Sequence, residues 1–149
     1  MKRLNLWIVL GLVAVVPQLA GCQQHSAVKA EHEHPAKVEH IDGSDISRVT
    51  LTEAAMKRLD VKTGAVTEAK SPRTESMQKA VPYGALIYDP QGNTWVYTNP
   101  QSRVFVREKI DVDFIQGDLA YLSNGPATVT NVATVGVAEL YGTEFEVGH

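Results

Sequence analysis

Leu86-Ile87-Tyr88-Asp89-Pro90-Gln91-Gly92-Asn93-Thr94-Trp95-Val96-Tyr97-Thr98 is the stretch whose reading decides the fold. Apolar and aromatic β-formers run into a break of Asp, Pro, Gln, Gly and Asn and run out of it again. Pro fixes φ and Gly accepts positive φ where a chain reversal needs each, so the segment predicts a β-hairpin. Asn99-Pro100-Gln101-Ser102 predicts a second turn. Residues 103–114 then keep a period of two: Val104 and Val106, or Phe105, on one side against charged residues, followed by Ile110, Val112 and Phe114 against Lys109, Asp111 and Asp113. Gln116-Gly117-Asp118 predicts a turn into a strand at 119–122. Asn124-Gly125-Pro126 marks another break, residues 129–135 another strand, and residues 137–141 a closing helical turn.

On the N-terminal side of the hairpin, Val49 and Leu51 alternate with polar residues. Residues 52–59 read as a short helix, with Thr50 or Thr52 as N-cap and Glu53 in the first turn. Residues 61–66 return to a strand pattern, and residues 68–75 form a polar connector. Short strands at turn spacings of about 8 to 12 residues predict a mainly β fold over residues 48–149: a small antiparallel roll or barrel with one or two short helices. Trp95, Tyr97, Phe105 and Tyr121 are expected in the core or in cross-strand packing, with a ligand platform as the alternative.

The N-terminus sets the cellular address. Lys2 and Arg3 precede a run of about thirteen apolar residues that ends at Pro17, shorter than the roughly 20 a spanning helix needs. A signal-peptide helix over residues 1–21 is the expectation. Leu19-Ala20-Gly21-Cys22 resembles the bacterial lipobox, in which small residues admit the chain to a peptidase and the thiol receives diacylglycerol. Cys22 is the only cysteine of the 149 residues, so no intramolecular disulfide forms; lipidation is the expected use of the thiol, with an ordinary secretory signal and an incidental buried thiol as the alternative. The chain is therefore expected to be exported and lipid-anchored in the cell envelope, facing the periplasm. Gln23 after the cysteine resembles the outer-membrane sorting pattern of Gram-negative lipoproteins. Without residues 1–21 the remainder carries 12 basic against 17 acidic groups, a net charge of −5, which argues against nucleic acid as a partner.

Residues 22–47 contain few large apolar side chains and no periodicity, which predicts a lipid-anchored flexible tether. Four of the five histidines fall there, His25, His32, His34 and His40, interleaved with Glu31, Glu33 and Glu39. Imidazole with carboxylate suits Cu, Zn or Ni, so these histidines are candidate metal ligands for a transiently bound ion; no cofactor is required by the rest of the sequence. A solvated linker is the plain alternative.

The order Val81-Pro82-Tyr83-Gly84-Ala85-Leu86-Ile87-Tyr88, Gly92-Asn93-Thr94-Trp95-Val96-Tyr97, Phe105-Val106-Arg107 and Val135-Gly136-Val137-Ala138-Glu139-Leu140 resembles the C-terminal membrane-proximal region of periplasmic adaptor (membrane fusion) proteins. These join efflux pumps of the resistance-nodulation-division (RND) type to outer-membrane channels. Leu51-Thr52-Glu53-Ala54-Ala55 and Leu59-Asp60-Val61-Lys62-Thr63-Gly64 are similar to the segment before the first barrel strand in the metal-efflux branch. The likeness spans most of residues 49–145. The lipoyl-like domain and long helical hairpin that separate these pieces in a full adaptor are absent, residues 66–79 joining them directly, and Thr130-Asn131 stands where the family has a Gly-Asp turn. The resemblance implies a membrane-proximal β fold and an accessory role in efflux, with the pump or its full-length adaptor as partner.

Catalytic residues are not assigned: no nucleophile–base set or paired carboxylates stand at a useful spacing, and no phosphate-cradling Gly motif is present, so a non-enzyme is expected. Glu139, Glu144 and Glu146 could serve as ligands with His149, but a solvated C-terminal end is the preferred reading. Two functional classes follow. One is a non-catalytic protein-binding module of an efflux system; the other is a metal-binding periplasmic lipoprotein that uses its His-rich tail.

Overall fold

The computed structural model describes residues 34–145. These residues form ten strands and two α-helices: β1 (Ala36–His40), β2 (Ser47–Leu51), α1 (Glu53–Arg58), β3 (Lys62–Ala65), β4 (Thr67–Lys70), β5 (Met77–Pro82), β6 (Ile87–Tyr88), β7 (Thr94–Gln101), β8 (Val104–Gln116), β9 (Leu119–Asn124), β10 (Asn131–Val135) and α2 (Val137–Glu144). A 3-10 turn, Tyr83–Ala85, links β5 to β6. The mainly β, antiparallel class read from the period-two segments is the observed one.

Every strand pairing is antiparallel. The order β3-β10-β7-β8-β9-β5-β4 makes a curled sheet whose two end strands are consecutive in sequence, joined at Val66. Strand β8 organises the curl. Its first half pairs with β7 and β2, and its second half with β9, past irregularities between Asp111 and Phe114 that let a 13-residue strand bend.

The middle of β7, Val96 to Thr98, is buried on both faces. Val96 packs inside the curl with Val66, Val81, Ile110, Leu122 and Val132. Its neighbour Tyr97 points the other way, with Phe105, Val49, Leu51 and, from the helices, Ala55, Val137 and Leu140. Tyr97 and Phe105 are fully buried, and truncating Phe105 to Ala would cost about 3–5 kcal/mol.

Helix α1 starts where expected: the Thr52 hydroxyl accepts the Ala55 N–H at 3.1 Å, Glu53 lies in the first turn, and Lys57 and Arg58 in the last. Helix α2 extends the expected closing turn through Glu144.

Four expectations need correction. The tether expectation does not hold over residues 36–47, because Ala36–His40 is a strand paired residue for residue with Ser47–Leu51. An edge strand needs a partner on one side only, so Ala36 and Val38 suffice as its apolar content, and its charges, Lys37 and Glu39, guard the free edge. The polar connector at 68–75 overlaps β4, a strand whose residues are exposed except for the half-buried Ala69. The turn read at 99–102 is displaced: β7 runs through Pro100 to Gln101 with its register broken between Thr98 and Gln101, where a residue without an N–H is tolerated, and Arg103 supplies a positive φ of 63°. Glu144, read as part of a solvated end, is buried.

Candidate functional site

The hairpin that decided the fold also builds the site. Asp89 organises its turn: Oδ1 accepts from the backbone N–H groups of Gln91 (3.0 Å) and Asn93 (2.8 Å), and Oδ2 from Asn93 Nδ2 (2.8 Å) and Trp95 Nε1 (2.9 Å). Gly92, at φ +82°, donates its N–H to Asp89 O at 2.9 Å. Burial pushes the Asp89 carboxyl up, but the hydrogen bonds from the Asn93 and Trp95 side chains and from the Asn93 and Gln91 backbone outweigh it and hold the group at about 2. The carboxylate is therefore charged at every physiological pH, and the indole is tied to the turn by its one polar atom.

Below the indole lies a buried polar clasp. The β7–β8 register sets Tyr97 directly opposite Arg107, and Trp95 opposite Lys109. Period two puts Arg107 on the same face as Phe105, so it points inward, and 5% of it is exposed. From α2, Glu144 meets it: Arg107 Nε donates to Oε2 at 3.1 Å, and Nη2 to Oε1 at 3.3 Å. Oε2 also accepts the Tyr97 hydroxyl at 2.5 Å, and Oε1 the Ser47 N–H at 3.1 Å. Arg107 Nη2 reaches the carbonyl of Asp45 at 3.2 Å. One carboxylate thus joins β7, β8, α2 and the start of β2. Burial, then the hydrogen bond and charge of Glu144, push the Tyr97 hydroxyl well above the ordinary tyrosine range against an opposing pull from Arg107, so it remains a donor.

Above the clasp opens a cleft of about 690 Å³, within the roughly 300–1,000 Å³ range of ligand clefts. The Arg107 guanidinium lies 4.2 Å from the Trp95 ring centroid and 5.1 Å from that of Phe145. Tyr141 flanks Phe145, their centroids 4.6 Å apart. Asp45, Ile46, Asp89 and Pro90 complete the rim. Phe145 is 45% exposed, a large ring standing at the mouth. Rings enclosed by a polar rim are a surface chemistry suited to binding.

Of the residues singled out as ligands, the two that are described, His34 and His40, do not line this cleft. His34 precedes β1 and His40 ends it, so the strand runs between them. Among the described residues no three His, Cys, Asp or Glu side chains converge on a point that would hold a metal ion. His25, His32 and the lipidation residue Cys22, like the signal peptide of residues 1–21, lie outside the described residues. Among those described, no helix is long and apolar enough to cross a membrane. Sequence reasoning missed Asp89, Arg107 and Glu144. An inward-facing Arg beside Phe105 was a signal that a buried anion must exist, but nothing local pointed to a carboxylate 37 residues further on.

Comparison with protein-family models, with curated proteins and with solved structures returned no match for this chain.

Proposed function

We propose that this chain is a lipid-anchored periplasmic accessory protein of an RND-type efflux system, with residues 36–145 acting as a non-catalytic protein-binding module. The observation that carries the reading is the exposed aromatic cleft of Trp95, Tyr141 and Phe145. It is backed by a satisfied buried clasp, and among the described residues no catalytic set stands beside it. Aromatic rings enclosed by a polar rim are the surface chemistry that protein interfaces favour. The lipobox-like Leu19-Ala20-Gly21-Cys22 supports the anchor, and the ordered likeness of residues 81–140 to adaptor segments supports the efflux setting.

Affinity capture of the tagged, membrane-extracted protein from its own host, followed by mass spectrometry, tests this directly. A pump subunit or full-length adaptor recovered with the intact chain, and lost when residues 36–145 are deleted, is the expected result. Recovery of envelope background alone overturns the reading.

A further inference from the structure

The cleft already shows what it holds: one guanidinium, Arg107, stacked against Trp95 and within reach of Phe145. That cation is matched by Glu144 behind it. Among the described residues the lining contains no other cation, whereas two carboxylates, Asp45 and Asp89, stand at the rim, so the open part of the cleft carries unmatched negative charge. The two acids differ in role. Asp89 has both oxygens engaged by the turn and by Trp95 and acts only through its field. Asp45 is exposed, and among the described residues its carboxylate takes no hydrogen bond and no ion pair, which leaves it able to bond an incoming group.

Aromatic faces beside a carboxylate favour an organic cation, through the ring quadrupole and direct charge pairing together. An anion would meet two like charges and a guanidinium already satisfied. We propose that the cleft takes an arginine or lysine side chain from a basic segment of the partner protein, with Tyr141 and Phe145 against its apolar stem and Asp45 against its charge. This rests on the protein-binding reading above and names the chemistry of the partner.

The test uses the mature lipidated chain in detergent, from which removal of residues 1–21 takes Trp7 and leaves Trp95 as the single indole. Its emission is followed while adding acetyl-Leu-Arg-Leu-Arg-Leu-amide, or the analogue with citrulline for arginine, which keeps the shape and removes the charge. A saturable change with the arginine peptide is expected, at least about tenfold weaker with the citrulline peptide and weakening with added salt. Asp45→Asn, an exposed change that should leave the melting temperature unaltered, is expected to weaken the arginine peptide about fivefold. Equal affinity for the two peptides would overturn the cation assignment and leave an apolar docking cleft. No response to either would also overturn it. The module reading stands or falls separately, on whether the pump or adaptor is still captured.

Discussion

Glu144 on α2 receives the Arg107 guanidinium of β8 at 3.1 Å, with 1% and 5% of the two side chains exposed. Desolvating both charges costs several kcal/mol, which their mutual attraction offsets only because the remaining lone pairs are taken by Tyr97 and Ser47. Removing one partner strands the other. Glu144→Ala is expected to lower stability by about 3–5 kcal/mol in urea unfolding. Arg107→Met with Glu144→Leu should cost clearly less than the two single changes summed. Strict additivity in that cycle would contradict the clasp.

Acid should loosen the Asp89 turn. The folded chain holds this carboxyl at about 2 against an ordinary 3.8, so the unfolded chain binds the proton first as pH falls. The linked stability is complete above about pH 4 and declines as pH approaches 2. Trp95 emission followed through acid unfolding checks this, and Asp89→Asn is expected to remove the Asp89-linked component of that decline. An unchanged acid profile in the variant would show that the turn does not depend on the charge.

Gly136 opens α2 at φ +77°, and a Cβ there would stand 2.8 Å from Val61 Cγ2 and 3.2 Å from the Leu59 carbonyl. Gly136→Ala is therefore expected to cost about 2–4 kcal/mol and to move Glu144 off the clasp. Thermal unfolding measures the first effect, and the near-ultraviolet signal of Trp95 and Tyr97 reports the second.

Anchoring is tested at Cys22. Metabolic labelling with a palmitate analogue should mark the protein, and Cys22→Ser should abolish both the label and membrane retention. Label persisting in the variant would place the anchor elsewhere.

Local chemistry was legible in the sequence. Asp89-Pro90-Gln91-Gly92-Asn93 carries its own turn signal, and Thr52 its own cap, so the hairpin and α1 stand where the residues put them. The alternation of 103–114 gave β8 but not its inward charge, because a period-two pattern marks faces and not which face is buried. Strand β1 was hidden because an edge strand with two small apolar residues resembles a linker, and its pairing with β2 is recorded in neither segment alone. The cleft was least legible: Trp95, Arg107 and Phe145 meet only after β7, β8 and α2 have packed.

Capture of the partner by cleft variants bears most directly on the central claim. Host membranes carrying the tagged chain, with Phe145 intact or changed to Ala, are solubilised, and the recovered pump or adaptor subunits are quantified. The account predicts recovery with the intact chain and at least about a fivefold loss with Phe145→Ala at equal protein level, since truncating an aromatic anchor at an interface costs on the order of 1–2 kcal/mol. Equal recovery from both chains would contradict the cleft as the docking surface, and recovery of neither subunit from either would contradict the efflux role.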